Sequence, residues 1–222
     1  MASTLYWVNI ALLFICLIWA SGMFYKYPSW ALAMLLPMLA WLMFDPLVSA
    51  LGNALGEGST LQVLSYLRYL LRALATPFLL IIAFDQAKRA QVKWTDDPLV
   101  MLLLGLVIVA LIALGIFKGF VGINLQITEM EGIKVYKEEE PLGLPFAAIV
   151  TMSLIALMGA GIYFKNRAPW LFLGGLVMLA GILIPPSILP SAVLASSSVV
   201  LALCFLFTEI KLHKFAPNPV AH

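Results

Sequence analysis

Residues 61–84 read LQVLSYLRYLLRALATPFLLIIAF, and the fold follows from how this stretch is read. It is long enough to cross a hydrocarbon core, which takes about 20 mostly apolar residues. Yet it carries Arg68 and Arg72 among leucines, alanines and phenylalanines. Six more stretches share its length and character: 5–24, 29–51, 99–117, 145–164, 170–189 and 192–212. In lipid, every backbone N–H and C=O must be bonded within its own segment or in a closed barrel. Long Leu, Ala and Met runs without period-2 alternation select helices over barrel strands. The expectation is an all-α fold, a seven-transmembrane-helix bundle forming a single integral membrane domain over residues 1–222.

Composition agrees. Of 222 residues, 63% are hydrophobic and 11% charged, whereas soluble domains are about half apolar and about a quarter charged. So few charges cannot cover a water-facing surface, which excludes disorder, nucleic-acid binding and a soluble catalytic domain. The net charge of +2 favours no charged partner; the expected surroundings are the lipid bilayer. Cys16 and Cys204 lie in apolar runs and imply neither a disulfide framework nor a metal site. No Lys or Arg precedes the first stretch, and its apolar core exceeds that of a signal sequence, so it reads as a retained helix.

Basic residues set the orientation. Lys26, Lys88, Arg89, Lys93, Lys165, Arg167, Lys211 and Lys214 fall on one side of the seven segments; Lys118, Lys134 and Lys137 fall on the other. The positive-inside rule then predicts an outer N-terminus and a cytoplasmic C-terminus, in a bacterial inner membrane or a thylakoid. Asp85 and Glu209, at the cytoplasmic ends of segments three and seven, read as interfacial caps near Lys88 and Lys211.

The link between segments four and five is the longest. Ile123, Leu125 and Ile127 alternate with polar residues, Met130-Glu131-Gly132 interrupts, and Ile133-Lys134-Val135-Tyr136-Lys137 alternates again. Two period-2 runs around a Gly-containing break predict a β-hairpin over about 122–138, either a lid on the outer face or a folded connector. Glu138–Glu140 reads as solvated surface. Pro37 and Pro46, Pro77, and Pro185, Pro186 and Pro190 should kink or break segments two, three and six.

Shifting the chain by 140 residues aligns segments two and six, with Phe24/Phe164, Trp30/Trp170, Leu36/Leu176, Met38/Met178, Leu39/Leu179, Ala40/Ala180 and Pro46/Pro186 identical. Segments three and seven end alike, in Phe84-Asp85-Gln86-Ala87-Lys88 and Phe207-Thr208-Glu209-Ile210-Lys211. Both likenesses suit a three-plus-one-plus-three plan of parallel repeats, used by some transporters.

A charge near mid-bilayer costs about 2.5–3.5 kcal/mol on insertion scales, so it is paired or functional. At 100° per residue, Gln62, Ser65, Arg68, Tyr69, Arg72 and Thr76 share an arc of roughly 120° that must face protein or water. At ~1.5 Å per residue, Arg68 lies ~10 Å and Arg72 ~16 Å below the outer end of segment three, and Asp45 ~9 Å below that of segment two. The short link 52–60 makes these segments antiparallel neighbours. Asp45 and Arg68 are thus the expected ion pair, and Arg72 has no equally placed carboxylate. Pro77 leaves the Ala73 carbonyl without its helical donor. Two readings stay open: a buried pair that fixes helix register, or an anion site in which Arg72, Arg68, Asp45, Tyr69, Ser65 and Thr76 bind substrate. A guanidinium fork suits carboxylate or phosphate.

Other chemistries fail on specific residues. Retinal needs a lysine inside the last helix, where none occurs before Lys211. Haem and metal sites lack ligands, since the histidines are His213 and His222 in the tail; no cofactor is expected. Ser196-Ser197-Ser198 reads as small-residue packing. The sugar transporters built on a three-plus-one-plus-three plan carry a Pro-Gln motif absent here. Gly56-Glu57-Gly58, followed by Arg68-Tyr69, Arg72-Ala73 and Thr76-Pro77, resembles a set of uncharacterised polytopic membrane proteins of cyanobacteria and other bacteria. That resemblance spans segments two and three, puts Arg72 where the set has His, and implies no activity.

The leading expectation is a carrier or channel-like protein whose polar cavity, bounded by segments two, three, six and seven, takes an anionic small molecule or lipid headgroup. The alternatives are a non-catalytic subunit or assembly factor with membrane-protein partners, and an intramembrane enzyme acting on lipid or isoprenoid.

Overall fold

Tyr6, Asn9, Leu13, Cys16 and Ala20 recur every three or four residues along the first helix, α1 (Ala2–Lys26), and are buried, while Trp7, Val8, Phe14, Ile15 and Ile18 point outward. Such a narrow inner stripe on an otherwise apolar helix is what a lipid-facing helix requires. The computed structural model describes residues 2–56, 58–119, 124–130, 132–138, 145–184 and 188–215. After α1 come α2 (Trp30–Leu55), α3 (Ser59–Arg89), a 3-10 turn (Lys93–Asp96), α4 (Pro98–Gly119), β1 (Leu125–Met130), β2 (Ile133–Glu138), α5 (Phe146–Asn166), α6 (Trp170–Leu183) and α7 (Ser191–Phe215).

Neighbour follows neighbour around a ring: α1 on α2, α2 on α3, α3 on α5, α5 on α6, α6 on α7, and α7 back on α1. Helix α4 stands outside, packed chiefly on α3, with Leu99, Met101, Leu102, Leu106 and Val109 exposed. Close approach within the ring depends on small residues, as is usual where no water drives helices together. A Cβ on Gly159 of α5 would collide with the α6 backbone at Leu171 and Phe172, and one on Gly175 of α6 would crowd the Ala156 backbone of α5.

Among the described residues six helices are long and apolar enough to cross a membrane, as a multi-pass membrane protein requires. The seventh differs from the expectation. Helix α6 ends at Leu183 after 14 residues, about 21 Å, rather than continuing to 189. Ile184, which precedes a proline in the sequence, is extended at φ −74° and ψ 120°. The proline ring disfavours helical backbone in the residue before it. Pro185 and Pro186 themselves lie outside the described residues, as do Glu57, Glu131, Glu139 and Glu140. In contrast, Pro37, Pro46 and Pro77 sit inside continuous helices.

The expected hairpin forms, with β1 and β2 antiparallel and Met130 opposite Ile133. It is clamped to the end of α2: Asn53 Nδ2 donates to the Gly132 carbonyl at 2.7 Å, and the Lys134 N–H donates to Asn53 Oδ1 at 2.9 Å. Gly52 permits this contact, because any Cβ there would strike the Lys134 carbonyl. Ile133 and Val135 bury their side chains beside Tyr6, Ala50 and Ala192. The hairpin therefore covers the end of the ring where α1 and α7 begin, and the opposite end gathers Lys26, Lys88, Arg89, Lys165 and Lys211 at helix termini.

Candidate functional site

Helices α2 and α3 are joined by only three residues, 56–58, and run antiparallel from the hairpin end. By rise, Asp45 lies about 15 Å below that end, Arg68 about 14 Å and Arg72 about 20 Å. Backbone depth alone would pair Asp45 with Arg68. The structure keeps that pair and adds a shorter one: Arg68 Nε stands 3.5 Å from Asp45 Oδ1, and Arg72 Nη2 donates to the same oxygen at 2.8 Å. Side chains on a helix lean toward its N-terminus. Asp45 therefore leans deeper, Arg72 leans back toward the hairpin end, and the two meet. The expectation that Arg72 lacks a carboxylate is overturned, because Asp45 serves both arginines.

Arg68 is buried and spends its other donors elsewhere. Its Nη1 donates to Ser49 Oγ at 3.2 Å and its Nη2 to the Tyr136 carbonyl at 3.1 Å. It thereby ties α2, α3 and the hairpin together. Arg72 is different. Its side chain is 50% exposed, that of Asp45 is 36% exposed, and among the described residues its one hydrogen bond is to Asp45. The Tyr69 ring lies against both guanidiniums, 5.4 Å from Arg68 and 5.9 Å from Arg72, within cation–π range.

These groups open onto a cavity of about 370 Å³ at the centre of the ring. Helices α2, α3, α6 and α7 line it as expected, and α1, α5 and β2 also contribute. Asp45, Arg68, Tyr69, Arg72 and Thr76 face it, beside Ser49, Trp41, Leu79, Met152 and Met178. Ser65 does not belong to it: it is buried, and its hydroxyl donates to the Leu61 carbonyl at 2.8 Å. On α7, Ser196 donates to Asn9 Oδ1, and Ser197 and Ser198 each donate to a carbonyl three residues back. The triple serine therefore packs α7 and adds hydroxyls to the cavity wall. Among the lining residues two guanidiniums face one carboxylate, a net single positive charge.

A second polar centre escaped the sequence reasoning. Glu209 of α7 is fully buried and accepts from Arg89 Nη1 at 2.7 Å, Arg89 Nη2 at 2.6 Å, Gln86 Nε2 at 3.0 Å and Ser29 Oγ at 2.9 Å. Asp85 holds the Arg89 Nε at 2.8 Å. Glu209 is thus not an interfacial cap beside Lys211. It is the hub that joins the first residue before α2 to the ends of α3 and α7. A carboxylate inside the apolar run Phe205–Ile210 was the available signal, since it demands a partner; its partner lies 120 residues away. Groups of acidic, His and Cys residues able to hold a metal do not occur among the described residues. No protein-family model matches the chain, and no curated protein matches it.

Proposed function

We propose that the protein is a membrane carrier for a small anion, whose carboxylate or phosphate group binds Arg72 in the central cavity. The observation that supports this is the half-exposed Arg72 side chain, which faces the cavity and whose one hydrogen bond among the described residues is to Asp45. A structural ion pair would be expected to bury both partners and fill the space around them. Arg68, already bonded to Ser49 and Tyr136, fixes the site, and Asp45 positions Arg72 until the anion arrives. With two positive groups and one negative, a bound monoanion neutralises the site. The volume lies in the range of small-ligand pockets, and Trp41, Leu79, Met152 and Met178 suit an apolar body behind the charged group.

The finer architecture belongs to the same proposal. A three-plus-one-plus-three repeat maps α1, α2 and α3 onto α5, α6 and α7, and the order of contacts around the ring is unchanged by that mapping. Gln86 and Glu209, equivalent in the likeness of α3 and α7, hydrogen-bond to each other, as residues beside a pseudo-two-fold axis would. The hairpin end is then the outer face, since the basic helix ends cluster opposite. The resemblance to uncharacterised polytopic proteins over α2 and α3 implies no activity.

The test is uptake into liposomes by the purified protein and by Arg72→Leu, with benzoate and inorganic phosphate as soluble probes and lysophosphatidate as the lipid probe. Saturable uptake of at least one probe by the parent, lost in the variant, is the expected result. Equal uptake by both proteins, or none by the parent, would overturn the proposal.

A further inference from the structure

The cavity occupies only the hairpin half of the ring. Its lining runs from Ser49 back to Trp41 on α2, from Arg68 down to Leu79 on α3 and from Ser191 to Ser198 on α7. Beyond it, every one of these helices turns apolar and tightly buried: Leu35 and Leu39 on α2, Leu80 and Ala83 on α3, Leu201, Ala202 and Phe205 on α7. Beyond that plug, all three converge on the Ser29–Gln86–Arg89–Glu209 network. Leu79 to Gln86 is 7 residues, and Ser198 to Glu209 is 11, so about 10–16 Å of apolar contact separates cavity from network.

Helix α3 links the two. Arg68, Arg72, Thr76, Leu79, Ala83 and Gln86 recur at three- and four-residue steps and share one face. Pro77 stands on the boundary. It has no N–H, so the helix lacks one internal hydrogen bond there, and such a position is where a helix bends. From Pro77 to Arg89 the helix extends about 18 Å, so a bend of about 10° moves Arg89 by about 3 Å. That displacement breaks a bidentate contact of 2.6 and 2.7 Å.

Resting on the carrier reading, we propose that the Arg89–Glu209 network is the closed gate at the end opposite the hairpin, hinged at Pro77. The structure is then one half of an alternating cycle, shut at the basic end.

The experiment uses the full chain with Cys16→Ala and Cys204→Ala as parent, reconstituted and labelled with a membrane-impermeant thiol reagent from either side. Ala83→Cys reports on the plug, and Ser198→Cys on the cavity. In the parent, Ala83→Cys should react slowly from both sides. Adding Glu209→Gln should raise its labelling from the basic end about tenfold or more, and Arg89→Lys, which keeps the charge but loses the fork, should raise it less. Labelling of Ser198→Cys from the hairpin end should stay at the parent rate in both, which establishes an intact fold. Parent-rate labelling of Ala83→Cys in the variant or variants that pass this control would make the network a static lock and overturn the gate. Where Glu209→Gln does not assemble, Arg89→Lys decides. Because no transported anion is present, the gate can fail while the anion site stands, and the reverse.

Discussion

Replacing Asp45 by Asn should tighten anion binding. In the resting site Asp45 occupies the guanidinium that the anion needs, at 2.8 Å from Arg72 and 3.5 Å from Arg68. At an effective dielectric constant of about 20, unit charges about 4 Å apart interact by about 4 kcal/mol. Half of the Arg72 side chain and a third of that of Asp45 are exposed, so screening leaves about 1–2 kcal/mol. Asn keeps a carbonyl oxygen that can still accept from Arg72, so the guanidinium stays positioned while its competitor loses its charge. The expected change is a roughly 5–30-fold lower dissociation constant, measured by calorimetric titration of the purified protein with benzoate. Low salt sharpens the effect, since added ions screen the exposed pair. An unchanged or weaker affinity in a monodisperse Asp45→Asn protein would refute the idea that Asp45 and the anion compete for one guanidinium.

Three further outcomes follow from contacts elsewhere. Glu209→Gln leaves Arg89 with Asp85 as its one carboxylate among the described residues; losing one charge of a buried pair costs about 3 kcal/mol or more, so the thermal midpoint in detergent should fall by several degrees, and an unaltered midpoint would show the pair to be energetically idle. Asn53→Ala removes both hydrogen bonds that clamp the hairpin to α2, and limited tryptic cleavage at Lys134 should become faster while the helices remain protected. Gly159→Leu drives a side chain into the α6 backbone at Leu171 and Phe172; overpacking of this kind costs about 1–3 kcal/mol, and the variant should melt lower than Gly105→Leu, whose position has open space around it.

How much of this was legible beforehand depends on the range of the interaction. Helix number and the hairpin are local properties, written in the length of apolar runs and in the alternation on either side of Gly132. The stop of α6 at Leu183 was signalled by Pro185 and Pro186, but their effect falls on the residue before them and not on the apolar count that set the boundary at 189. The site was readable as far as helical periodicity reaches: Arg68, Tyr69, Arg72 and Thr76 do share a face and a cavity. Ser65 lies on the same stripe but satisfies its hydroxyl within its own helix, an option every buried serine has. Asp45 does pair with Arg68, but its shorter contact to Arg72 is hidden from the sequence, because rise along the axis locates a Cα, whereas a long side chain reaches most of a helical turn from it. The Arg89–Glu209 pairing joins two helix ends 120 residues apart, and a single sequence carries no distance information of that kind.

Anomalous diffraction from crystals soaked in para-bromobenzoate puts the anion site to a single question. The proposed function requires a bromine peak inside the cavity, with its carboxylate on Arg72 and its ring toward Met152 and Met178. Bromine confined to the protein surface, with Arg72 still bonded only to Asp45, would mean that the guanidinium serves helix packing and binds no anion.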